Sequence, residues 1–584
     1  MRIYTTSAGL DPAALVPGED LVLALDERHG LDAPHGVVAH DHLDMSARHA
    51  VDEAAVSAMR AWHAARDAHL TVDGICLPFV WEHDIYTHGF IVSIRDAVAV
   101  DRALEAYGTR SVELTDADPH TERAVRAAAE RRGVEVTRAA DPQRAAVAAP
   151  APGEFVVQTT LRRRVLARLL SIGIPSRLRR DCFLFLSYWP QMPLLDRVLD
   201  TPGIRAAIFA GKRPAGVRRS LRAAVQGGWV GTPGPRTRRR AARSAAAALT
   251  RAAEPPRIDV MGLELGAALH ARALDLARKR GAGDLADAAV LRRAFAGGHV
   301  RTMVLPYDIE PHSRLVGVLA REAGTHTFLL QHGAILLPRP LKDGEVAAEV
   351  AVWAHTVAGP GSREDGAHAV GFPVPHERPP TRALAPSNER PTVVVLGQHE
   401  DPYTVTIDAR LLMRHYCIAM RAVLDRFPGA RVVLRPHPAI PPEPLAAVIE
   451  RFPGADVTID KASDILELLR SSDLCIGSSS TATFQTALAG TPVVVLNACG
   501  FEWWWPLDGS SGVAVAHSEE ELARWIATWA DGEVLPGREE LLDALGAGPG
   551  DAVGRALELL TRTRPTPAEV SRGGLESREP SALA

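Results

Sequence analysis

The sequence is poor in cysteine and in net charge, and both shortages exclude protein classes. Only five cysteines occur among 584 residues, and none forms a C-x-x-C pair. Scattered cysteines, three of them in apolar runs, predict reduced and buried thiols rather than a disulfide framework. The formal net charge of −4 argues against a general affinity for polyanions. The first residues lack a basic segment followed by an apolar one, so we expect no signal peptide.

Long uninterrupted apolar runs are also missing. Residues 474–501 carry no charge over 28 positions, but glycine, proline and a cluster of hydroxyl residues interrupt them. These interruptions make a membrane-spanning helix a poor interpretation. A strand, a turn, a buried helix and a second strand inside a parallel sheet fit the same residues. We therefore predict no transmembrane segment and expect a cytoplasmic protein.

The alternation of apolar segments predicts an α/β protein of several domains. A chain this long exceeds one hydrophobic core. Strand-length apolar runs alternate with amphipathic helices, as in doubly wound parallel sheets; they include 21–26, 73–80, 392–397, 430–438, 473–477 and 492–497. We predict an N-terminal α/β domain, a linker, two Rossmann-type domains and a disordered tail, at residues 1–140, 141–155, 156–385, 390–560 and 562–584.

The strongest motif is the serine-rich turn of IGSSSTATFQTALAGTPVVVLN (476–497). A predicted strand is followed by four hydroxyl residues that lead into a predicted helix: Ser478, Ser479, Ser480 and Thr481. Hydroxyls at a helix start cap N–H groups, and together with the helix dipole they form an anion site suited to phosphate. An ordinary capped helix explains the same residues, so this segment alone leaves phosphate binding open.

Two other strand ends of the same unit carry polar side chains. In VVLRPHPAIPPEPL (432–445) a strand delivers Arg435 and His437 to its C-terminal end, where ligands of open α/β sheets bind. Flanking prolines restrict the backbone around His437, whose imidazole can donate to a phosphate oxygen, and Arg435 can add positive charge. In VVVLGQHEDPY (393–403), Gly397 permits close approach of a ligand, and Gln398 is a further candidate contact.

Acidic and imidazole groups follow two strands of the preceding unit. LPYDIEPHSR (305–314) places Asp308, Glu310 and His312 after one strand, and FLLQHGAILLPRP (328–340) places His332 after another. From adjacent strand ends, Asp308, Glu310 or His332 could act as the general base for an acceptor hydroxyl in a cleft facing the C-terminal unit. Helix capping by Asp308 and a local hydrogen bond of His332 are equally compatible with the sequence.

Positive charge is concentrated in residues 151–255, which hold 20 Lys and Arg against 5 Asp and Glu. Arginine interleaved with apolar residues in 161–180, 217–223 and 236–253 is compatible with amphipathic helices on a membrane surface and with ordinary solvated helix faces. We expect no nucleic-acid partner, because neither an aromatic pattern nor a reader motif accompanies the charge.

The order of these motifs resembles that of bacterial GT-B enzymes of surface-carbohydrate synthesis: QHG (331–333), GFP (371–373), RPHP (435–438) and GSSSTATFQTALAGTPVVV (477–495). The similar families are capsule polysaccharide transferases, sialyl- and polysialyltransferases, and CDP-glycerol glycerophosphotransferases. The resemblance implies a GT-B-like pair of Rossmann-type domains and a glycosyltransferase. It also implies that His437, Ser478, Ser479 and Ser480 bind the phosphate and nucleotide of a CMP- or CDP-linked donor. We expect neither a metal nor a cofactor besides this donor.

Two departures from the resembled families keep other functions open. The sialyltransferases use an acidic D/E-D/E-G motif for the base, and no clear counterpart occurs here, so an inactive GT-B scaffold in envelope biosynthesis is one alternative. Nucleotide-sugar 2-epimerases share the His-Pro turn, but Gln485 stands where they have a ribose-binding carboxylate. Our prediction is a transferase that delivers a sugar or polyol phosphate to a surface polysaccharide or lipid-linked acceptor at the inner face of the cell membrane.

Overall fold

Three β-sheets whose strands run almost entirely parallel, each flanked by helices, form the framework of the protein in its computed structural model. The structure describes residues 2–4, 22–24, 36–38, 42–108, 110–115, 119–138, 173–186, 191–209, 217–306, 310–331, 348–352, 367–372, 390–397, 409–437, 443–478, 480–498, 507, 509–546 and 551–562. Four predicted site residues lie outside these segments: Asp308, His332, Gln398 and Ser479. The predicted linker and nearly all of the predicted tail also lie outside them.

The N-terminal unit has a five-stranded parallel sheet in the order β3-β2-β1-β6-β7. Its strands, with a small hairpin β4–β5, are Arg2–Tyr4 (β1), Val22–Ala24 (β2), Gly36–Val38 (β3), Thr71–Val72 (β4), Ile75–Cys76 (β5), Ser111–Thr115 (β6) and Glu135–Arg138 (β7). Its helices are Met45–Leu70 (α1), Leu77–Ile85 (α2), Ile91–Tyr107 (α3) and Pro119–Arg132 (α4), with a π-helical turn at Tyr86–Phe90.

The strand predicted at 73–80 is wrong, whereas the one predicted at 21–26 is confirmed at Val22–Ala24. Only Ile75–Cys76 is extended, and α2 begins at Leu77 with Pro78 in its first turn. Proline is tolerated there because the first helical N–H groups have no intrahelical partner to lose. The error follows from the short apolar run, since periodicity cannot separate a buried strand from a buried helix at that length.

The middle unit has an eight-stranded sheet in the order β17-β16-β15-β14-β9-β10-β11-β8, in which only the edge strand β8 runs antiparallel to its neighbour. The strands are Arg177–Leu178 (β8), Cys182–Phe185 (β9), Arg205–Phe209 (β10), Gly228–Val230 (β11), Val300–Leu305 (β14), His326–Leu330 (β15), Glu349–Val352 (β16) and Ala367–Ala369 (β17), besides a hairpin of Asp259–Val260 (β12) and Leu263–Glu264 (β13). The helices are Met192–Asp200 (α5), Val217–Gln226 (α6), Pro235–Arg251 (α7), Gly266–Ala296 (α8) and Pro311–Glu322 (α9).

The C-terminal unit has six parallel strands in the order β20-β19-β18-β21-β22-β23. They are Thr392–Leu396 (β18), Arg431–Arg435 (β19), Asp456–Ile459 (β20), Leu474–Gly477 (β21), Val493–Leu496 (β22) and Val515–Ala516 (β23). The helices are Ala409–Arg426 (α10), Glu443–Ile449 (α11), Ile465–Arg470 (α12), Thr481–Ala489 (α13), Glu519–Ala530 (α14), Arg538–Ala544 (α15) and Ala552–Arg562 (α16).

Both the middle and the C-terminal sheets have the strand order of a Rossmann fold. Numbered from its first parallel strand, the C-terminal sheet reads 3-2-1-4-5-6, and the parallel part of the middle sheet begins with the same 3-2-1-4-5-6. The predicted α/β class, with a pair of Rossmann-type units after an additional N-terminal α/β unit, is therefore confirmed.

The hydrophobic cores cross the borders between these units. One core joins helices α1 to α4 to α7, α8 and the middle sheet, and Trp62 Nε1 donates to His270 Nδ1 across it at 3.1 Å. The last helix, α16, returns to the middle unit, where Val553, Ala556 and Leu560 pack beside Phe183. Arg301 also donates to Thr561 O at 2.6 Å, so α16 is tied to the middle sheet near its end.

Candidate functional site

The predicted donor-binding residues lie at the switch point of the C-terminal sheet. The chain proceeds from β18 to β19 and β20 on one side, and to β21, β22 and β23 on the other. Leu396 of β18 pairs with Arg435, and Val395 pairs with Ile476 of β21, so the three strands end at one level. Ligands of open α/β sheets bind in the crevice that such a switch point creates.

The turn from β21 into α13 is held in shape by Thr483. Its hydroxyl accepts a hydrogen bond from Ser478 N at 3.1 Å and donates one to Ser478 O at 2.6 Å. Gly477 is required here, because a Cβ at this position would come within 2.7 Å of Thr483 Cγ2. Ser480 is the N-cap of α13, and its Oγ accepts from Ala482 N at 3.3 Å. Ser478 and the first turn of α13 are thus held in place by these contacts.

Ser478 places a buried hydroxyl directly before this helix start. The residue is 4 % exposed, and its Oγ has no hydrogen-bond partner among the described residues. Leaving a buried polar group without a partner costs about 1–3 kcal/mol, so a buried orphan hydroxyl needs an explanation. The adjacent helix N-terminus favours negative charge through its N–H groups and its dipole. An anion that accepts from Ser478 would explain both features.

His437 lies across β18 from this turn. It follows β19 by two residues, is half-buried, and sits at the same sheet edge as Ser478. Their backbones are separated by two strand spacings, about 10 Å. A phosphate above the end of β18 can therefore be approached by the imidazole from one side and by the hydroxyl turn from the other.

Arg435 is engaged elsewhere. Its guanidinium donates to Asp460 O at 3.0 Å, to Asp460 Oδ1 at 3.1 Å and to Ser463 O at 2.8 Å, all beyond the end of β20. Hydrogen bonds from Ser463, together with one from Ala462 and the charge of Arg435, lower the pKa of the Asp460 carboxyl. These contacts are those of a structural residue on the side away from β21. A role of Arg435 at the donor phosphate stays a prediction.

Gly397 makes room for a buried tyrosine. A Cβ at this position would collide with the Tyr416 hydroxyl, so packing alone accounts for the glycine, and its predicted closeness to a ligand stays a prediction. Tyr416 Oη is buried without a hydrogen-bond partner among the described residues, and burial raises the pKa of the phenol. The neighbouring His415 donates from Nε2 to Leu396 O at 3.2 Å, and burial lowers its pKa to about 4.

In the middle unit, a carboxylate and an imidazole lie at the start of α9. Glu310 is the half-buried N-cap residue of this helix, and Ser313 Oγ donates to its Oε2 at 3.0 Å. The buried His312 ring packs edge-on against Phe209, the last residue of β10, with 5.5 Å between the ring centroids. Glu310 and His312 therefore share the C-terminal edge of the middle sheet. Neither Asp308 nor His332 is among the described residues, so their places as candidate bases stay predictions.

The N-terminal unit holds the first turn of α9 through a buried ion pair. Arg314 pairs with Glu82 of α2 and donates to Phe79 O at 2.9 Å, and its guanidinium lies 4.6 Å from the Phe79 ring centroid. Glu82 is fully buried, and Arg314 is 6 % exposed. Arg314 is four residues from Glu310, so the pair holds the helix start on which this candidate base lies. No sequence signal indicates the pair, because its partners are 232 positions apart.

Comparisons with known proteins show partial likenesses of structure. No family model and no curated protein sequence matches the chain. The UDP-GlcNAc 2-epimerase of Neisseria meningitidis bound to UDP-GlcNAc is 8 % identical to this chain. The match covers 65 % of this chain and 99 % of the epimerase chain, with a TM-score of 0.37. MurG of Acinetobacter baumannii is 11 % identical, its match covers 66 % of this chain and 100 % of MurG, and the TM-score is 0.35. The glycosyltransferase VinC in complex with dTDP is 13 % identical, its match covers 67 % of this chain and 100 % of VinC, and the TM-score is 0.36.

At these TM-scores the superpositions are partial, so the fold is established by the strand order of the protein itself. The resemblance to capsule polysaccharide transferases and sialyltransferases depends on the sequence motifs and stays a prediction.

Proposed function

We propose that the protein transfers a sugar or polyol phosphate from a nucleotide-activated donor to an acceptor hydroxyl, as a glycosyltransferase-type enzyme. The observation that carries this proposal is the buried hydroxyl of Ser478, which has no hydrogen-bond partner within the described segments and lies at a helix N-terminus on the switch point of a Rossmann-type sheet. A helix N-terminus with a free hydroxyl at such a switch point supports the binding of a nucleotide phosphate.

The donor's phosphate would bind between the two sides of β18. Ser478 and Ser480 would donate hydroxyl hydrogens, the first turn of α13 would supply N–H groups, and His437 would donate from the opposite side. Ser479, Thr481 and Gln398 complete the proposed donor set. These groups would neutralise the leaving nucleotide, so we expect the transfer to need no bound metal. The serine-rich turn favours a CMP- or CDP-linked donor.

The acceptor would lie against the start of α9 in the middle unit. Its hydroxyl oxygen would attack the transferred carbon or phosphorus, the bond to the nucleotide would break, and the hydroxyl proton would pass to a general base. Glu310 is the best-placed described candidate, and Asp308 and His332 are the others. We propose a surface-polysaccharide or lipid-linked acceptor, hence a role in capsule or cell-envelope synthesis. The enzyme would work in the cytoplasm, at the inner face of the membrane, with the Arg-rich region 161–253 as its membrane contact.

A thermal-shift panel of CMP, CDP, UDP and GDP tests the donor site. A nucleotide at 100 times its dissociation constant should add about 2.7 kcal/mol to the free energy of unfolding and raise Tm accordingly. Ser478→Ala and His437→Ala should each weaken that nucleotide's binding at least about tenfold, since each removes a hydrogen bond to a charged group. Ser472→Ala is the matched control, because its buried hydroxyl donates to Leu468 O at the opposite end of β21.

Three results would contradict the transferase. If no nucleotide raised Tm, the inactive scaffold would be favoured. Unchanged affinity in both Ser478→Ala and His437→Ala would remove the proposed donor site. Conversion of a UDP-sugar without any acceptor would instead identify a 2-epimerase, because a transferase needs the second substrate.

A further inference from the structure

The short helix α6 presents an apolar stripe to solvent. Val217, Leu221 and Val225 recur every four residues and are 74 %, 61 % and 67 % exposed. At 100° per residue they form one continuous stripe along the helix. Only Ala223 of this helix is fully buried, so α6 packs on the sheet through small residues and turns its large apolar side chains outward.

Polar contacts prevent α6 from rolling to bury this stripe. Arg219 makes a two-point ion pair with Asp196 of α5, at 2.6 and 2.7 Å. Arg222 donates to Asp200 Oδ1 at 2.6 Å, and Gln226 donates to Leu199 O at 2.9 Å. These contacts hold one flank of the helix against α5. The opposite flank, which carries the stripe, is therefore fixed toward solvent.

The charge beside the stripe is positive. The helix VRRSLRAAVQ holds three arginines and no acidic residue. Arg219 and Arg222 are paired with Asp196 and Asp200 on the α5 side, whereas Arg218 is exposed beside the stripe. Lys212 and Arg213 precede it in the sequence. An apolar stripe flanked by cations complements a surface with an apolar interior and an anionic face, as in a bilayer that contains anionic lipids.

The longer basic helix α7 lacks this character. Its exposed residues include Arg236, Arg239, Arg240 and Arg243, but its apolar side chains are mainly alanines, of which Ala241, Ala245 and Ala248 are buried. Within region 161–253 it therefore offers positive charge to a membrane, but not the row of large exposed apolar side chains that α6 has. Among the described parts of the basic region, α6 is thus the element that combines positive charge with large exposed apolar side chains.

The position of α6 relates the stripe to the proposed acceptor site. The helix connects the parallel strands β10 and β11, so it starts near their C-terminal edge and runs back along the sheet. Phe209, the last residue of β10, touches His312 at that same edge. The start of α6 therefore lies on the edge of the middle sheet that carries Glu310.

We infer that α6 docks on an anionic lipid bilayer through Val217, Leu221 and Val225, and thereby brings the acceptor edge of the middle unit to the membrane surface. This docking narrows the membrane contact of the proposed function from region 161–253 to α6, and the choice of a lipid-linked acceptor rests on that proposed function. The exposed stripe and its flanking charge do not depend on a transferase activity. None of the helices within the described segments is long and apolar enough to span a membrane, and the inferred contact is peripheral.

Co-sedimentation of the full chain with vesicles, without nucleotide or acceptor, tests the inference. The chain should bind phosphatidylcholine vesicles containing about one-third phosphatidylglycerol more tightly than pure phosphatidylcholine, and less tightly at high salt. The double variant Leu221→Ser/Val225→Ser should lower partitioning about tenfold or more, because two apolar side chains no longer enter the interface. Arg218→Glu should lower it several-fold by charge alone.

Val534→Ser is the matched control, since Val534 is a 70 % exposed valine of the C-terminal unit. It should bind vesicles like the unchanged protein, and all variants should keep their Tm because the replaced side chains are exposed. Absence of binding, or binding that survives both the double variant and Arg218→Glu, would overturn the docking of α6. A concentration-dependent dimer that the double variant abolishes would assign the stripe to a second copy instead. If the protein bound lipid vesicles but no nucleotide, the proposed transferase would be contradicted and the docking of α6 would be supported.

Discussion

The middle and C-terminal units share one strand order, but different side chains lie at the start of the helix that follows the fourth strand. In the C-terminal unit β21 leads into α13 through small hydroxyl residues, and the buried Ser478 hydroxyl has no partner in the part of the chain that the structure describes. In the middle unit β14 leads into α9 through Glu310, His312 and Ser313. The first start suits an anion, and the second offers proton acceptors. One topological position can thus hold a helix start suited to an anion or one that offers proton acceptors.

The two units also differ in how these helix starts are supported. The C-terminal turn is held by its own residues, Thr483 and Ser480, within a few positions of chain. The start of α9 is held from outside by Glu82 of the N-terminal unit. Local changes should therefore disturb the first site, and changes in a distant unit should disturb the second.

The largest expected effect separates the two sites by activity. Glu310→Gln keeps the size of the side chain but removes its capacity to accept a proton, so turnover should fall about 10²- to 10⁴-fold. The nucleotide-induced rise in Tm should be unchanged, whereas Ser478→Ala should lower it. Turnover is measured as product formation with the donor whose nucleotide raises Tm in the thermal-shift panel. Glu322→Gln, at the far end of the same helix, is the control. Full turnover in Glu310→Gln would exclude Glu310 as the general base and leave Asp308 and His332 as the candidates.

A stability measurement tests the external support of α9. Glu82→Ala leaves the Arg314 charge buried without its carboxylate, which should cost about 3–5 kcal/mol. Glu322→Ala breaks an exposed pair with Arg292 and should cost less than about 1 kcal/mol. Urea unfolding of both variants gives the free energies. Similar losses would show that the buried pair does not anchor the helix.

Acid should destabilise the C-terminal unit through His415. The unfolded chain takes up a proton near pH 6.5, whereas burial holds the native pKa at about 4. Between these values the unfolded state binds more protons, so stability falls as pH falls, by up to about 3 kcal/mol. His415→Gln keeps a donor for Leu396 O and should flatten this dependence, as followed by urea unfolding at several pH values.

His326 of β15 provides the counterpart in the middle unit. Its pKa is also lowered to about 4, by burial and then by the charge of Arg301. His326→Gln should therefore reduce the acid sensitivity of the middle unit, again between about pH 6.5 and 4. If both variants kept the full slope of the unchanged protein, neither imidazole would be buried and neutral in solution.

The smallest expected effect separates capping from binding. Ser480→Ala removes the N-cap of α13. Ser518→Ala removes the N-cap of α14, where Ser518 Oγ accepts from Glu521 N at 3.2 Å. Each should cost about 1 kcal/mol in thermal unfolding. Only Ser480→Ala should also weaken nucleotide binding. If Ser518→Ala weakened nucleotide binding as much as Ser480→Ala does, the loss of binding would come from lower stability alone.

Much of the C-terminal unit could be predicted from local sequence. The strands predicted at 473–477 and 492–497 are found at Leu474–Gly477 and Val493–Leu496, and the helix between them begins at Thr481. Apolar strand runs, a serine N-cap and Gly490 in the left-handed conformation at the helix end are signals that a few neighbouring residues provide.

The site was harder to predict, because side-chain partners depend on distant chain segments. The expected role of Arg435 at a phosphate stays a prediction, and the contacts of its guanidinium with Asp460, just after β20, could not be read from the sequence. Thr483, which fixes the serine turn, was missed because threonine inside a helix gives no distinguishing signal. Gly397 was predicted from its place after a strand, whereas its requirement for glycine comes from Tyr416.

The α/β class, the Rossmann-type pair and the strand ends at which polar residues gather could be inferred from the sequence, since they follow from periodicity and turn chemistry within short windows. Three further features became visible in the folded protein: the core that the N-terminal helices share with the middle unit, the pair of Glu82 with Arg314, and the outward-facing apolar side chains of α6. They could not be inferred from the sequence because burial depends on how the whole chain packs. A residue's periodicity states which face it occupies, but not what, if anything, covers that face.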